Sequence, residues 1–429
     1  MSNDLSATQQ RLLAAHVAYC AKRSPFYRAM FAELGSDAAA IDSYAALEQL
    51  PFTTKAHVEG NEEAFLCVDA GEIADICMTS GTSGTPVAFA QSRADMRRLA
   101  RNEELAMRCA GITSADRVLI AATLDRCFMA GIAYYSGLQQ IGATTIRAGA
   151  NSLVAVAQLL KTLRPSAVVG VPTFLLKLAE YMAGDGAAAA LMPVQRLICI
   201  GEPVRRADLS LAPLGEQLEQ LWQAQVYATY ASTEMATTFC DCQHGCGGHV
   251  AEELMVVEII DEHGRRVSDN TPGEVVATPL QVSAMPLLRF RTGDIAALQR
   301  QPCSCGRSSW RLGPILGRRE QMLKYHGTTL YPPAIFAVLQ QIDAVDSYYI
   351  EVYDDFALSD RIKVVVGSDE PTLSAAAVAE RIAAAVRVKP QVEIAAAAQV
   401  RARVYPAHKR KPQQFFDYRR QRRLEGHTA

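Results

Sequence analysis

Apolar and polar positions in this chain first follow a helical period. Over 6–34, Leu12, Leu13, His16, Val17 and Cys20 recur on one helical face, and Pro25 interrupts the pattern. After a short connection at 51–55 and a Ser/Thr/Gly-rich loop at 79–86, a mixed charged and apolar run predicts a long helix over 92–110. Apolar runs then predict strands at 116–121, 142–146, 167–171 and 196–200, while 131–141, 153–163 and 173–182 repeat at helical spacing. Such alternation predicts a layered α/β domain with a largely parallel sheet. Past an apolar run at 225–230 the pattern becomes hairpin-like, with strands at 254–261 and 273–278 and a turn at 262–264. Beyond Gly317 a smaller α+β unit is expected, with helices 334–341 and 373–386 and strands 348–353 and 361–366. The Ala run 395–398 is too short to count as low complexity. The tail 401–423, with nine Lys/Arg against Asp417, reads as a solvated basic face or a source of one phosphate-facing lysine.

A length of 429 residues exceeds one ordinary core, so two or more domains are expected. A net charge of −2 with 49% apolar residues describes a globular protein with no electrostatic case for nucleic acid or membrane. The first ten residues lack an apolar signal core, and no run of about 18 apolar residues follows, so a cytoplasmic protein is expected. Eleven cysteines, an odd number with five crowded into 240–305, argue for metal rather than a disulfide framework.

The loop Thr79, Ser80, Gly81, Thr82, Ser83, Gly84, Thr85, Pro86 combines hydroxyls with glycines that let main-chain N–H groups approach phosphate oxygens. It lacks the Walker A lysine spacing, which disfavours a P-loop kinase or GTPase. A phosphate held there would also gain from the N-terminal dipole of the helix that follows.

Four further segments occur in the order used by the adenylate-forming (AMP-binding) superfamily. The loop resembles that superfamily's phosphate loop. Tyr230-Ala231-Ser232-Thr233-Glu234, Arg289-Phe290-Arg291-Thr292-Gly293-Asp294 and Gly317-Arg318-Arg319-Glu320 resemble its later motifs, and 410–417 resembles its closing lysine segment. Short length, Gly201-Glu202-Pro203 and the cysteine pairs are similar to the phenylacetate–CoA ligase-like branch. The resemblance implies a large N-terminal layered α/β adenylate-forming domain, 1–316, with a β and zinc region at about 236–310. A small mobile C-terminal α+β domain, 317–429, follows a hinge at Glu320.

It also implies roles. Thr79 to Gly84 would hold the ATP phosphates, Thr233 the α-phosphate and Glu234 Mg²⁺. Tyr230 and Gly201-Glu202-Pro203 would border adenine, Asp294 would accept the ribose hydroxyls, and Arg318 would donate to the ribose–phosphate region. Lys411, with Lys409 as its competitor, would bridge carboxylate and α-phosphate during adenylation. Several positions depart from the common motif: Thr85 for lysine, Ala231 for glycine, Glu320 for aspartate, Arg410 for glycine and Gln414 for arginine.

Cys240, Cys242 and His249 in one block, with Cys303 and Cys305 in another, suit a structural zinc holding four of these five. Cys246 and His244 are further candidates. For the acid, the segment 126–131 with Phe128 and Gly131, together with Tyr134, Tyr135 and Ala231, would line a pocket suited to a flat aryl acid.

The reading is an acid–CoA ligase using ATP, Mg²⁺ and coenzyme A on a small aromatic or arylacetic acid, with a homodimer suggested by the branch. One rival passes the acyl group to an acyl-carrier protein thiol or an amine. Another is a non-catalytic, zinc-stapled nucleotide-binding module.

Overall fold

The computed structural model describes residues 5–79, 86–125, 127–150, 152–325, 328–354, 360–406 and 412–419. The chain divides into two compact units, Met1–Thr292 with Ala296–Ile315, and Gly293–Ile295 with Leu316–Ala429.

The first unit opens with helices Ala7–Arg23 and Pro25–Leu34. Ser6 caps the first in a reciprocal capping box with Gln9, and Ser24 caps the second, where Pro25 occupies the first turn. Leu13, His16, Val17 and Cys20 form the buried face that their spacing predicts.

Strands Thr144–Arg147, Arg117–Ala121, Ala167–Gly170, Arg196–Cys199 and Gln225–Ser232 lie side by side in that order, all parallel. Side chains alternate across this sheet. Val118 and Ile120 pack with Met107, Tyr134 and Leu138 from helices Arg93–Cys109 and Met129–Ile141. Leu119 and Ala121 pack on the other face with Leu160, Leu178 and Leu218 from helices Leu153–Leu163, Pro172–Gly184 and Pro213–Trp222. Burial on both faces explains why these strands read as continuous apolar runs.

Among the described residues this sheet has nine strands, because Gln225–Ser232 turns back antiparallel into Thr237–Cys240, and Gly248–His249, Arg311–Leu312 and Leu298–Gln299 follow. A separate meander pairs Met255–Ile260 with Gly273–Pro279 around the expected turn.

In the second unit, strands Gln391–Ala395, Asp360–Gly367, Ser347–Asp354 and Phe415–Asp417 form one sheet. Helices Pro332–Leu339 and Ala375–Val386 cover one face. Helix Ala397–Val404, which the sequence pattern had not marked, covers the other. The basic tail is correspondingly not all solvated. Arg403 lies over Tyr349 and Phe416, 5.0 and 4.4 Å from the ring centroids, and Arg419 pairs with Asp360 at 2.8 Å and with Asp417 at 2.8 Å. Among the described residues no helix is long and apolar enough to cross a membrane.

Candidate active site

Strands Ile73–Met78 and Ala88–Ser92 form an antiparallel hairpin whose loop is the predicted phosphate loop. Thr79 is buried and clasps the loop's far end: its N–H donates to the Val87 carbonyl (3.0 Å), and the Val87 N–H donates to its Oγ1 (2.9 Å). Ser80, Gly81, Thr82, Ser83, Gly84 and Thr85 lie outside the described residues. The helix-dipole expectation is corrected here, because a strand separates the loop from the helix. The first amides of Arg93–Cys109, those of Ala94 and Asp95, donate to Ser92 Oγ at 3.1 and 3.0 Å. They are taken by a cap.

The carboxyl ends of parallel strands are where an open α/β sheet binds ligands, and several predicted residues stand there. Gly201 and Pro203 are exposed just past Arg196–Cys199. Glu202 accepts from the Thr173 N–H and hydroxyl, both at 2.9 Å, at the start of helix Pro172–Gly184. Its carboxylate therefore serves that helix terminus as well as any ligand. On the neighbouring strand Tyr230 stacks on Phe239, 5.9 Å between centroids, and Ala231 is exposed. Thr233 and Glu234 are half-buried in the turn that leads into Thr237–Cys240. That turn closes on Ala236, which has φ +46° and donates its N–H to the Ser232 and Thr233 carbonyls at 3.2 Å.

The helix Met129–Ile141 is tied to the hairpin by the Met78 N–H, which donates to the Cys127 carbonyl at 2.8 Å. Phe128 is half-buried at its start. Gly131 is needed for close approach, since a Cβ there would stand 2.2 Å from the Thr123 carbonyl oxygen. Tyr134 is a core residue, 3% exposed, whereas Tyr135 is half-buried with the Arg147 guanidinium 5.7 Å from its ring centroid. Arg126 lies outside the described residues.

In the second unit Asp294, mostly buried, pairs with Arg318 at 3.2 Å, their strands being in register at these residues. Glu320 is exposed in a short 3₁₀ turn. Lys409 and Lys411 lie outside the described residues. Arg289 and Arg291 of the preceding motif are structural: Arg289 pairs with buried Glu258 at 2.8 Å, and Arg291 Nε donates to Glu274 at 3.1 Å.

Asp95, Arg98, Asn102 and Glu103 on the long helix Arg93–Cys109 are all buried. Arg98 donates to the Leu280 and Ala236 carbonyls (both 2.6 Å), the Leu254 carbonyl (2.7 Å) and Thr237 Oγ1 (3.1 Å). Asn102 Oδ1 accepts the Thr238 N–H at 2.7 Å, and Glu103 Oε1 bonds the Thr238 hydroxyl at 2.5 Å. Burial draws Arg98 down to about 10 and pushes Glu103 up to about 7. Polar residues at 95, 98 and 102 follow a helical stripe, the only hint the sequence offers.

The cysteine clusters do meet. Ligand atoms of Cys242, His249, Cys303 and Cys305 all lie within 4.8 Å of one another. Cys242 Sγ is 3.6 Å from Cys303 Sγ, and Cys305 Sγ is 3.5 Å from His249 Nε2. Tetrahedral zinc with bonds of about 2.3 Å to sulfur and 2.0 Å to nitrogen needs ligand separations of that size. His249 Nδ1 shares a hydrogen with Ser309 Oγ at 2.8 Å, leaving Nε2 to face the other ligands. Burial, with Arg307 and Arg311 nearby, holds His249 down at about 4 and so neutral, as a metal ligand must be. Cys240 is buried but lies outside this group. A cavity of about 130 Å³, lined by Asn102, Thr238, Cys240 and His249 among others, separates the cluster from the buried stripe.

The family model for AMP-binding enzymes matches residues 19–284. A phenylacetate–coenzyme A ligase of Thermus thermophilus is 27% identical over 86% of this chain and 82% of its own length. One of Escherichia coli is 24% identical over 81% of this chain and 78% of its own. A crystal structure of 2-hydroxyisobutyryl-CoA ligase, in the postadenylation state with 2-HIB-AMP, superposes with a TM-score of 0.83 at 23% identity. It covers 97% of this chain and 90% of that one, a likeness of fold.

Proposed function

Since the chain belongs to the family of AMP-binding enzymes, we propose that it activates a small aromatic or arylacetic acid with ATP and transfers the acyl group to coenzyme A. The carboxylate oxygen attacks the α-phosphorus of ATP and pyrophosphate leaves. The CoA sulfur then attacks the acyl carbon, AMP leaves with the bonding pair, and the thiol proton passes to solvent. The observation that carries the reading is the gathering of Gly201, Glu202, Tyr230, Thr233 and Glu234 at the carboxyl ends of adjacent parallel strands, in a chain whose relatives are named acid–CoA ligases.

Each residue has a task. Main-chain N–H groups and hydroxyls of 79–84 orient the triphosphate without adding charge, and Thr233 donates to the α-phosphate. Glu234 would hold Mg²⁺, which offsets phosphate charge in the transition state. Tyr230 presents a ring face to adenine, and Asp294 accepts ribose hydroxyls while Arg318 fixes its orientation. Lys411 bridges the two anions that must meet. Phe128, Tyr135 and Ala231 border the acid, with Gly131 letting the helix close on 123–124. Residues 317–429 act as a mobile domain pivoting at Glu320, so that adenylation and thioester formation use different faces. Zinc on Cys242, His249, Cys303 and Cys305 would be structural, since all four positions are filled by protein.

Acid-dependent ATP–pyrophosphate exchange over benzoic, phenylacetic, cinnamic, heteroaryl, short aliphatic and hydroxy acids tests this, followed by CoA-dependent AMP release. Exchange with aryl acids that falls at least about a hundredfold in Glu234→Ala is expected. No exchange with any acid in folded protein would overturn it, and release to a carrier protein or an amine instead of CoA would replace the acceptor.

A further inference from the structure

The turn holding Thr233 and Glu234 ends at Ala236, a non-glycine residue in the left-handed region. L-residues rarely adopt that conformation unless their surroundings enforce it. Its N–H closes the turn on Ser232 and Thr233, but its carbonyl makes its bond outside the turn, to Arg98 Nη1 at 2.6 Å. Arg98 also donates to the side chain of the next residue, Thr237, and to carbonyls at Leu254 and Leu280. An arginine buried to 7% exposure and bonded to carbonyls and a hydroxyl is costly to desolvate, and its rigid fork fixes several acceptors at once.

The same helix carries a second grip. Asp95, one turn earlier, accepts the Ser283 N–H (2.6 Å) and the Ala284 N–H (2.9 Å) while capping the helix through the Ser92 N–H (2.9 Å). Ser92 is the last residue of the hairpin whose loop is clasped by Thr79 and Val87. One helix thus begins at the phosphate-loop hairpin and, about a turn and a half on, holds the end of the Thr233–Glu234 turn.

We propose that Arg98 is a positioning residue for Glu234, fixing the turn so that the carboxylate meets Mg·ATP held by the adjoining hairpin. The inference rests on the reading in which Glu234 binds Mg²⁺. Arg98 touches no substrate; it acts through the Ala236 carbonyl.

A purely structural role would lower stability without changing the metal requirement, so the readout is the Mg²⁺ concentration giving half-maximal pyrophosphate exchange. Arg98→Lys, which keeps the charge and loses the fork, is expected to raise it about tenfold, as loss of a residue supporting a metal ligand does. The acid KM should stay within about twofold. Thr237→Val removes one acceptor of Arg98 and should raise the Mg²⁺ requirement about threefold; it decides the matter if the lysine variant does not fold. Asn102→Ala, which releases the Thr238 N–H further along the strand, should lower the melting temperature and leave the Mg²⁺ requirement unchanged. Wild-type Mg²⁺ dependence in a folded Arg98→Lys, or an equal shift in Asn102→Ala, would overturn the inference. Absence of exchange in the wild type would instead overturn the proposed function on which it stands.

Discussion

The strand Thr237–Cys240 is secured at its two ends by different chemistry. At its start, Arg98, Asn102 and Glu103 reach across from the long helix to its main-chain and hydroxyl groups, and every atom of that contact belongs to the chain. Just past its other end, Cys242 converges with His249, Cys303 and Cys305, three thiols and an imidazole whose ligand atoms lie close together. Burial pushes the Cys242 thiol up to about 12, so a cation is what would draw off its proton. The first anchor is complete when the chain folds, and the second is conditional on a ligand. The half of the strand nearest Glu234 carries the unconditional one, as a preorganised site requires.

Removing the conditional anchor should have the largest effect. Cys303→Ser is expected to lower metal content, read by elemental analysis, from about one zinc per chain toward zero. It should destabilise the first unit by about 4 kcal/mol or more, since loss of a metal is among the few mechanisms with such effects. Retention of zinc and of the wild-type melting profile would break the comparison.

Glu103 tests the unconditional anchor through pH. Its folded pKa is raised, so its contribution to stability is full below about 4.5 and is lost as pH rises through about 7. Glu103→Gln keeps the shape without the buried charge. It should be more stable than wild type at pH 8 by on the order of 2–3 kcal/mol, with the gap narrowing toward pH 5. Denaturant melts at both pH values read this, and a pH-independent difference would show that Glu103 does not titrate there.

The smallest effect is expected at Ser309, which shares its hydrogen with His249 Nδ1. Ser309→Ala should weaken zinc affinity about tenfold, measured by competition with a chelator, with little change in the melting of the zinc-loaded protein. Unchanged affinity would mean that the histidine needs no such support.

The sequence makes the parallel core readable because its strands are apolar on both faces and its helices keep a helical period. The two cysteine blocks are readable for a similar reason: local spacing carries the chemistry. What spacing could not convey is which side chains cross between elements. Cys240 looks as good a ligand as Cys242, yet it lies outside the group whose ligand atoms converge. Asp95, Arg98, Asn102 and Glu103 look like a solvated helix face, because their hydrogen-bond partners lie more than a hundred residues away on 236–284. The helix Ala397–Val404 is hidden by alanine's silence about which face is buried; Val400 and Val404 supply that face.

The Cys/His cluster also has a topological consequence. Its members come from residues 242–249 and 303–305, and the chain between them includes the whole Met255–Pro279 pair of strands before it returns. With a metal bound, that excursion becomes a loop tied at its neck. A break within it, for instance at the exposed turn bearing Glu262 and His263, would then cut the polypeptide without separating the ends of the sheet that the knot holds together.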